Sequence, residues 1–129
     1  MNKEILEGNK LIAEFIGWSQ QLDVEERWYG AWFDQHGVRK AWPKGHEPLL
    51  FHESWDWLMP VVEKIDSRTP YDPCVTIEYN WCSIKVPDGR FDIEIVGNSR
   101  IEATYKAVVE FIKWYNENNK TNDNTRIDN

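Results

Sequence analysis

All three histidines, His36, His46 and His52, lie between Trp28 and Trp57, together with five of the eight tryptophans. Two kinds of chemistry follow from that concentration. The string His52-Glu53-Ser54-Trp55-Asp56 carries the first two positions of the metal-binding pattern HExxH, in which two histidines one helical turn apart hold a metal beside a glutamate base. The fifth position here is Asp, and Ser54 as a helix cap leaves His52 before the helix. A metal site would then draw on His46, His52 and Asp56, with His36 as a further donor, and would point to a small hydrolase or nuclease. Half a pattern is a weak warrant. The plainer reading makes His52 a loop histidine and Asp56 a first-turn acid that suits the helix dipole.

Aromatic side chains offer the second chemistry, a stacking or anchoring surface for a planar ligand or a partner protein. Trp28, Trp32, Trp42 and Trp57, with His52, are the residues that would build it. Trp55 and Trp57 are two positions apart and cannot both lie along one helical stripe, so Trp57 falls at the stripe's margin. Trp18, Trp55 and Trp81 are assigned to core and turns. No GxSxG, phosphate-binding or dinucleotide-binding glycine pattern occurs, and neither cysteine sits in a nucleophile motif. Glu25-Glu26 and Asp92-x-Glu94 read as solvated faces. No catalytic residue and no cofactor is assigned.

The elements that position these residues must come from 129 residues, enough for one domain. A net charge of -7 argues against binding a nucleic acid backbone, which relies on Lys and Arg, although it suits an acidic decoy of nucleic acid. No apolar run approaches the roughly 20 residues of a membrane span, and the start of the chain lacks the apolar core of a signal peptide. A cytoplasmic protein is expected, with Cys74 and Cys82 as two buried thiols.

Apolar periodicity predicts an amphipathic helix over Lys3–Ile16, ended by Gly17. Asp34-Gln35-His36-Gly37 predicts a turn and so a hairpin, and Leu49-Leu50-Phe51 a short strand. Ser54 predicts the cap of a second helix to Ser67, kinked by Pro60. Three alternating segments, Val75–Tyr79, Cys82–Val86 and Phe91–Ile95, predict a meander. Its turns are Asn80-Trp81, which could instead form a bulge inside one longer strand, and Pro87–Arg90; they pair Tyr79 with Cys82, Ile84 with Ile93 and Val86 with Phe91. Ser99 and Glu102 form a capping box for a last helix, and from Glu117 the chain reads as a disordered, Asn-rich tail. The expected architecture is α+β, a small antiparallel sheet (a three-stranded meander plus an extra hairpin) against about three helices. It spans residues 1–116 as a single domain.

Three segments carry a resemblance: Asn9–Trp18, His52–Ile65 with its SWDWLMPVVEKI core, and Ile101–Asn116, IEATYKAVVEFIKWYN. With them the chain resembles short, largely uncharacterised proteins encoded by phages and prophages of the Bacteroides group. The resemblance implies a bacterial host cell and an accessory role, such as blocking a host protein or sequestering a nucleotide. It transfers no catalytic residues. The expected function is therefore a non-enzymatic binding protein that captures a host protein or a small planar ligand through residues 28–57.

Overall fold

The computed structural model describes residues 2–22, 29–43, 47–68 and 71–128, with backbone alone for 119–128. Trp28 and His46 lie outside the described residues. Helix α1 (Lys3–Phe15) begins where the Asn2 side chain accepts the Glu4 amide at 2.7 Å, which satisfies one of the orphan donors of the first turn. It ends in a double closure. Gly17, at φ +89°, donates to the Glu14 carbonyl, and Trp18 donates to that of Ala13 at 2.9 Å. This Schellman ending needs a left-handed residue, which glycine adopts without steric cost, and it turns Trp18 back toward the body of the protein.

Two three-stranded antiparallel sheets follow. The first runs β1 (Ser19–Gln20), β2 (Trp32–Phe33) and β3 (Arg39–Ala41) in that order. The predicted hairpin is its β2–β3 pair, closed by Asp34, whose carboxylate accepts the amides of His36 and Val38 at 2.8 and 3.0 Å. The second sheet is the meander β4 (Cys74–Glu78), β5 (Trp81–Val86) and β6 (Phe91–Val96). Helix α2 (Trp55–Asp66) lies between the sheets in sequence, and α3 (Arg100–Asp128) closes the chain. This α+β architecture matches the expected class. Helix α3 continues past Glu117, where the sequence predicts a tail.

Alternation places Val75, Ile77, Cys82, Ile84, Val86, Phe91, Ile93 and Ile95 on one face of the meander, against α3. The central strand is covered completely, with Cys82 and Ile84 at 0 % exposure; burying one such side chain is worth about 1.5–3 kcal/mol. Helix α3 presents Ala103, Ala107, Val108, Phe111 and Ile112 to it, all at 0 %. Helix α2 runs beside β4, and α1 packs on α3. There the Tyr105 hydroxyl donates to the Ile5 carbonyl at 3.1 Å, and Gly8 leaves the room that a side chain would take from that hydroxyl.

Several expectations need correction. The first turn of the meander is Tyr79-Asn80, not Asn80-Trp81: Glu78 pairs with Trp81 and Ile77 with Cys82. Tyr79 takes φ +49°, and Asn80 is bound through its backbone and side chain to Gly97. Trp81 thereby joins the strand opposite Val96, and Tyr79 leaves the apolar face for solvent. The register moves by two residues, so the strand parity and the remaining inward face are unchanged. Val86–Phe91 and Ile84–Ile93 pair as predicted.

Leu49–Phe51 is not a strand. Its carbonyls are taken outside any ladder, that of Leu49 by the Asn9 side chain of α1 and that of Leu50 locally by the amides of Glu53 and Ser54. Cys74 is exposed rather than buried, since its position in β4 falls on the outward parity; Cys82 is buried. Burial pushes the Cys82 thiol up to about 11, with a smaller opposing effect from the Thr104 hydroxyl. Helix α2 runs unbroken through Pro60. No helix among the described residues is long and apolar enough to cross a membrane.

Candidate functional site

The Schellman turn after α1 and the first turn of α2 bring Trp18 and Trp57 together, ring centroids 5.8 Å apart at 73°. Both rings pack on Phe51, which is 1 % exposed: Trp18 tilted at 43° with centroids 5.4 Å apart, and Trp57 edge-to-face at 80° and 5.2 Å. Edge-to-face contacts of this kind contribute about 0.5–1.5 kcal/mol each beyond burial. Phe51 thus fixes two half-buried indoles as the wall of a surface cleft. The cleft holds about 400 Å³ and is completed by Ile16, Arg39, Lys40, Asp56 and Pro60, within the range of small-ligand sites.

Strand β3 supplies the cations. The Lys40 amino group lies 5.8 Å from the Trp18 ring centroid, within cation–π range. The Arg39 guanidinium is held by the Glu47 carboxylate at 3.0 Å. Asp56 sits at the start of α2, where Ser54 makes no side-chain cap. Among the described residues neither Lys40 nor Asp56 belongs to an ion pair. The cleft therefore combines aromatic faces, a cation and a carboxylate that are not neutralised by each other.

His52 belongs elsewhere. It lines a second cleft of about 370 Å³ with Asn2, Glu4, Ser99, Glu102, Tyr105 and Lys106. Behind it, Asn9 is 2 % exposed; its Nδ2 donates to the Leu49 carbonyl at 3.2 Å and stands 3.1 Å from His52 Nδ1. Asn9 Nδ2 can only donate, so His52 Nδ1 accepts in this contact, and His52 Nε2 lies 3.6 Å from the Glu53 carboxylate. Burial pushes the Tyr105 hydroxyl well above the ordinary tyrosine range, and the charge of Glu4 adds to it.

The five residues predicted to share one surface are thus divided. Trp57 lines the aromatic cleft. Trp32, at 3 % exposure, is core. It lies between Gln20 and Ala41 in the first sheet, on the inward parity of β2. Trp42 is half-buried, its indole N–H donating to the Tyr29 carbonyl at 3.2 Å. Trp28 is outside the described residues. His52 and Asp56, the centre of the metal reading, open into different clefts, and His46 is not described. Among the described residues no group of three or more His, Cys, Asp and Glu side chains is placed to hold a metal ion.

No known family, no characterised protein and no solved structure matches this chain. The site must be read from its own chemistry. Sequence reasoning missed Trp18, Arg39 and Lys40. The signal available was Gly17 directly after the helical stripe, which turns the next residue back toward the body, and the adjacent cations Arg39-Lys40 in the short strand after the Asp34 turn.

Proposed function

We propose that the chain is a non-enzymatic binding protein that holds a small, planar, negatively charged ligand in the Trp18–Trp57 cleft. It would act in the cytoplasm of a bacterial cell of the kind to which the phage resemblance points. The observation that carries this reading is Lys40 poised over the Trp18 ring beside the second indole, Trp57. Indole faces attract any flat π-system, and the ammonium over the Trp18 ring, which belongs to no ion pair among the described residues, favours an anion. A concave cleft of this size suits a small molecule better than the flat, larger patch that a protein partner requires.

Calorimetry with 1-naphthyl phosphate, a planar anion without N–H groups, tests the proposal. Saturable one-to-one binding that weakens with added salt is expected. Trp57→Ala should weaken it about tenfold, as expected for loss of one stacking surface, and Lys40→Ala should reduce both affinity and salt dependence. The absence of binding by any planar anion, or equal binding by both variants, would overturn the reading.

A further inference from the structure

The carboxylate in the cleft has no counterpart in a site meant only for an anion. Asp56 faces the same space as Lys40, yet among the described residues neither belongs to an ion pair, the Lys40 charge acting only at longer range on Asp34. An acidic group beside a cationic one repels a simple aromatic anion and lowers its affinity. It becomes favourable only when the ligand carries its own donors on the edge away from its negative charge.

From this we infer that the cleft selects a guanine nucleotide, an inference that rests on the binding role proposed above and specifies its ligand. An ionised carboxylate is acceptor-only, with two oxygens side by side. Guanine presents N1–H and N2–H as two adjacent, parallel donors, which match both oxygens at once. Adenine and cytosine each present one amino donor next to a ring-nitrogen acceptor, so one carboxylate oxygen meets a lone pair. Uracil presents one N–H between two carbonyl acceptors, which is worse. The base stacks on the face of one indole and meets the other, set at 73° to it, along its edge, and its phosphate reaches Lys40. Arg39, already anchored by Glu47 at 3.0 Å, stands in the same cleft as a second, fixed positive group.

Each group then has a separate readout. Calorimetry on the full chain with the monophosphates of guanosine, adenosine, uridine and xanthosine should rank guanosine monophosphate first, adenosine monophosphate about tenfold or more weaker, because a hydrogen bond to a charged group is lost. Asp56→Asn should abolish the guanine preference and raise affinity for xanthosine monophosphate, whose N1–H and C2 carbonyl match an amide. Lys40→Ala should weaken guanosine monophosphate more than guanosine. Equal binding of the guanine and adenine nucleotides, or an unchanged ranking in Asp56→Asn, would overturn the guanine assignment while leaving the cleft as a site for planar anions. Failure of all four nucleotides and of 1-naphthyl phosphate would overturn both. Asp56 is exposed at a helix start, so its variant is expected to fold, and a urea transition matching that of the parent chain checks it.

Discussion

The two sheets have three antiparallel strands each, but different forces hold them. In β4–β6 the strands are five and six residues long, the register is continuous, and one whole face is apolar and covered by α3. In β1–β3 the strands are two or three residues long and the register slips between Trp32 and Phe33. There, side chains replace the ladder: Gln20 donates to the Gly30 carbonyl at 3.1 Å, Asp34 accepts two amides, and the Trp42 indole reaches the Tyr29 carbonyl. The sheet that needs side chains for its own closure is also the one that carries Arg39 and Lys40 into the aromatic cleft. Regular pairing leaves few polar groups to spare, whereas irregular pairing leaves polar and charged side chains along its margins, where a ligand can meet them.

A large core truncation on each side tests how separate the two regions are. Phe111, at 0 % exposure on α3, and Trp32, at 3 % in the first sheet, belong to one continuous cluster of buried side chains. Phe111→Ala and Trp32→Ala should each cost about 3–5 kcal/mol. Each should shift a single urea transition without changing its slope. A biphasic curve in Trp32→Ala alone would mean that the first sheet melts independently and that the cleft stands on a separate unit.

Helix α1 links the regions, since it packs on α3 and leads through Gly17 into β1. Gly8→Ala gains about 1 kcal/mol of helix propensity. The added methyl collides with the Tyr105 hydroxyl and approaches the Val109 side chain at 3.2 Å, and overpacking of this kind costs about 1–3 kcal/mol. A net loss of stability is expected, because the hydroxyl is held by the Ile5 carbonyl and cannot simply swing away. Combined with Tyr105→Phe, Gly8→Ala should become neutral or stabilising. If Gly8→Ala stabilises the parent chain, α1 and α3 are looser than their spacing indicates.

The same contrast explains what the sequence made legible. In the second sheet, alternation and the Pro87–Arg90 turn place Ile84 against Ile93 and Val86 against Phe91, and the even shift at the first turn removes only Tyr79 from the face. Helix α3 was marked by Ser99 and Glu102, and its cap forms with Glu102 donating its amide to Ser99 and accepting that of Asn98 at 3.1 Å. The first sheet lacks such a code, because strands of two residues have no period to detect. Trp32 and Trp57 look alike as tryptophans, and only tertiary placement separates them: Trp32 points inward from β2, while Trp57 rests on Phe51 at the cleft. For Lys40 the local signal was only its place beside Arg39 after the Asp34 turn, and its role arises from Trp18, which lies 22 residues earlier along the chain.

The smallest effect separates the regions by acid. In the first sheet, the Val38 amide, helped by that of His36, holds the Asp34 carboxyl below its ordinary 3.8. In α3, the Asn98 amide, helped by Lys106, holds Glu102 below its ordinary 4.5. Both are depressed acids, so the ionised form stabilises the fold above the ordinary value, and that contribution is lost as pH falls through the lower folded value. Asp34→Asn keeps an oxygen that can accept the same amides but removes the titration. Below pH 3.8 the amide resonances of His36 and Val38 should therefore shift in the parent chain and stay constant in Asp34→Asn, while that of Asn98 still responds in both. If His36 and Val38 continue to shift in the variant, the acid-sensitive group of the first sheet is not Asp34. The Asp34 turn would then be set by its backbone bonds, such as that from Asp34 to the Val38 carbonyl at 2.9 Å, and the contrast between a side-chain-closed sheet and a backbone-paired one would lose its clearest case.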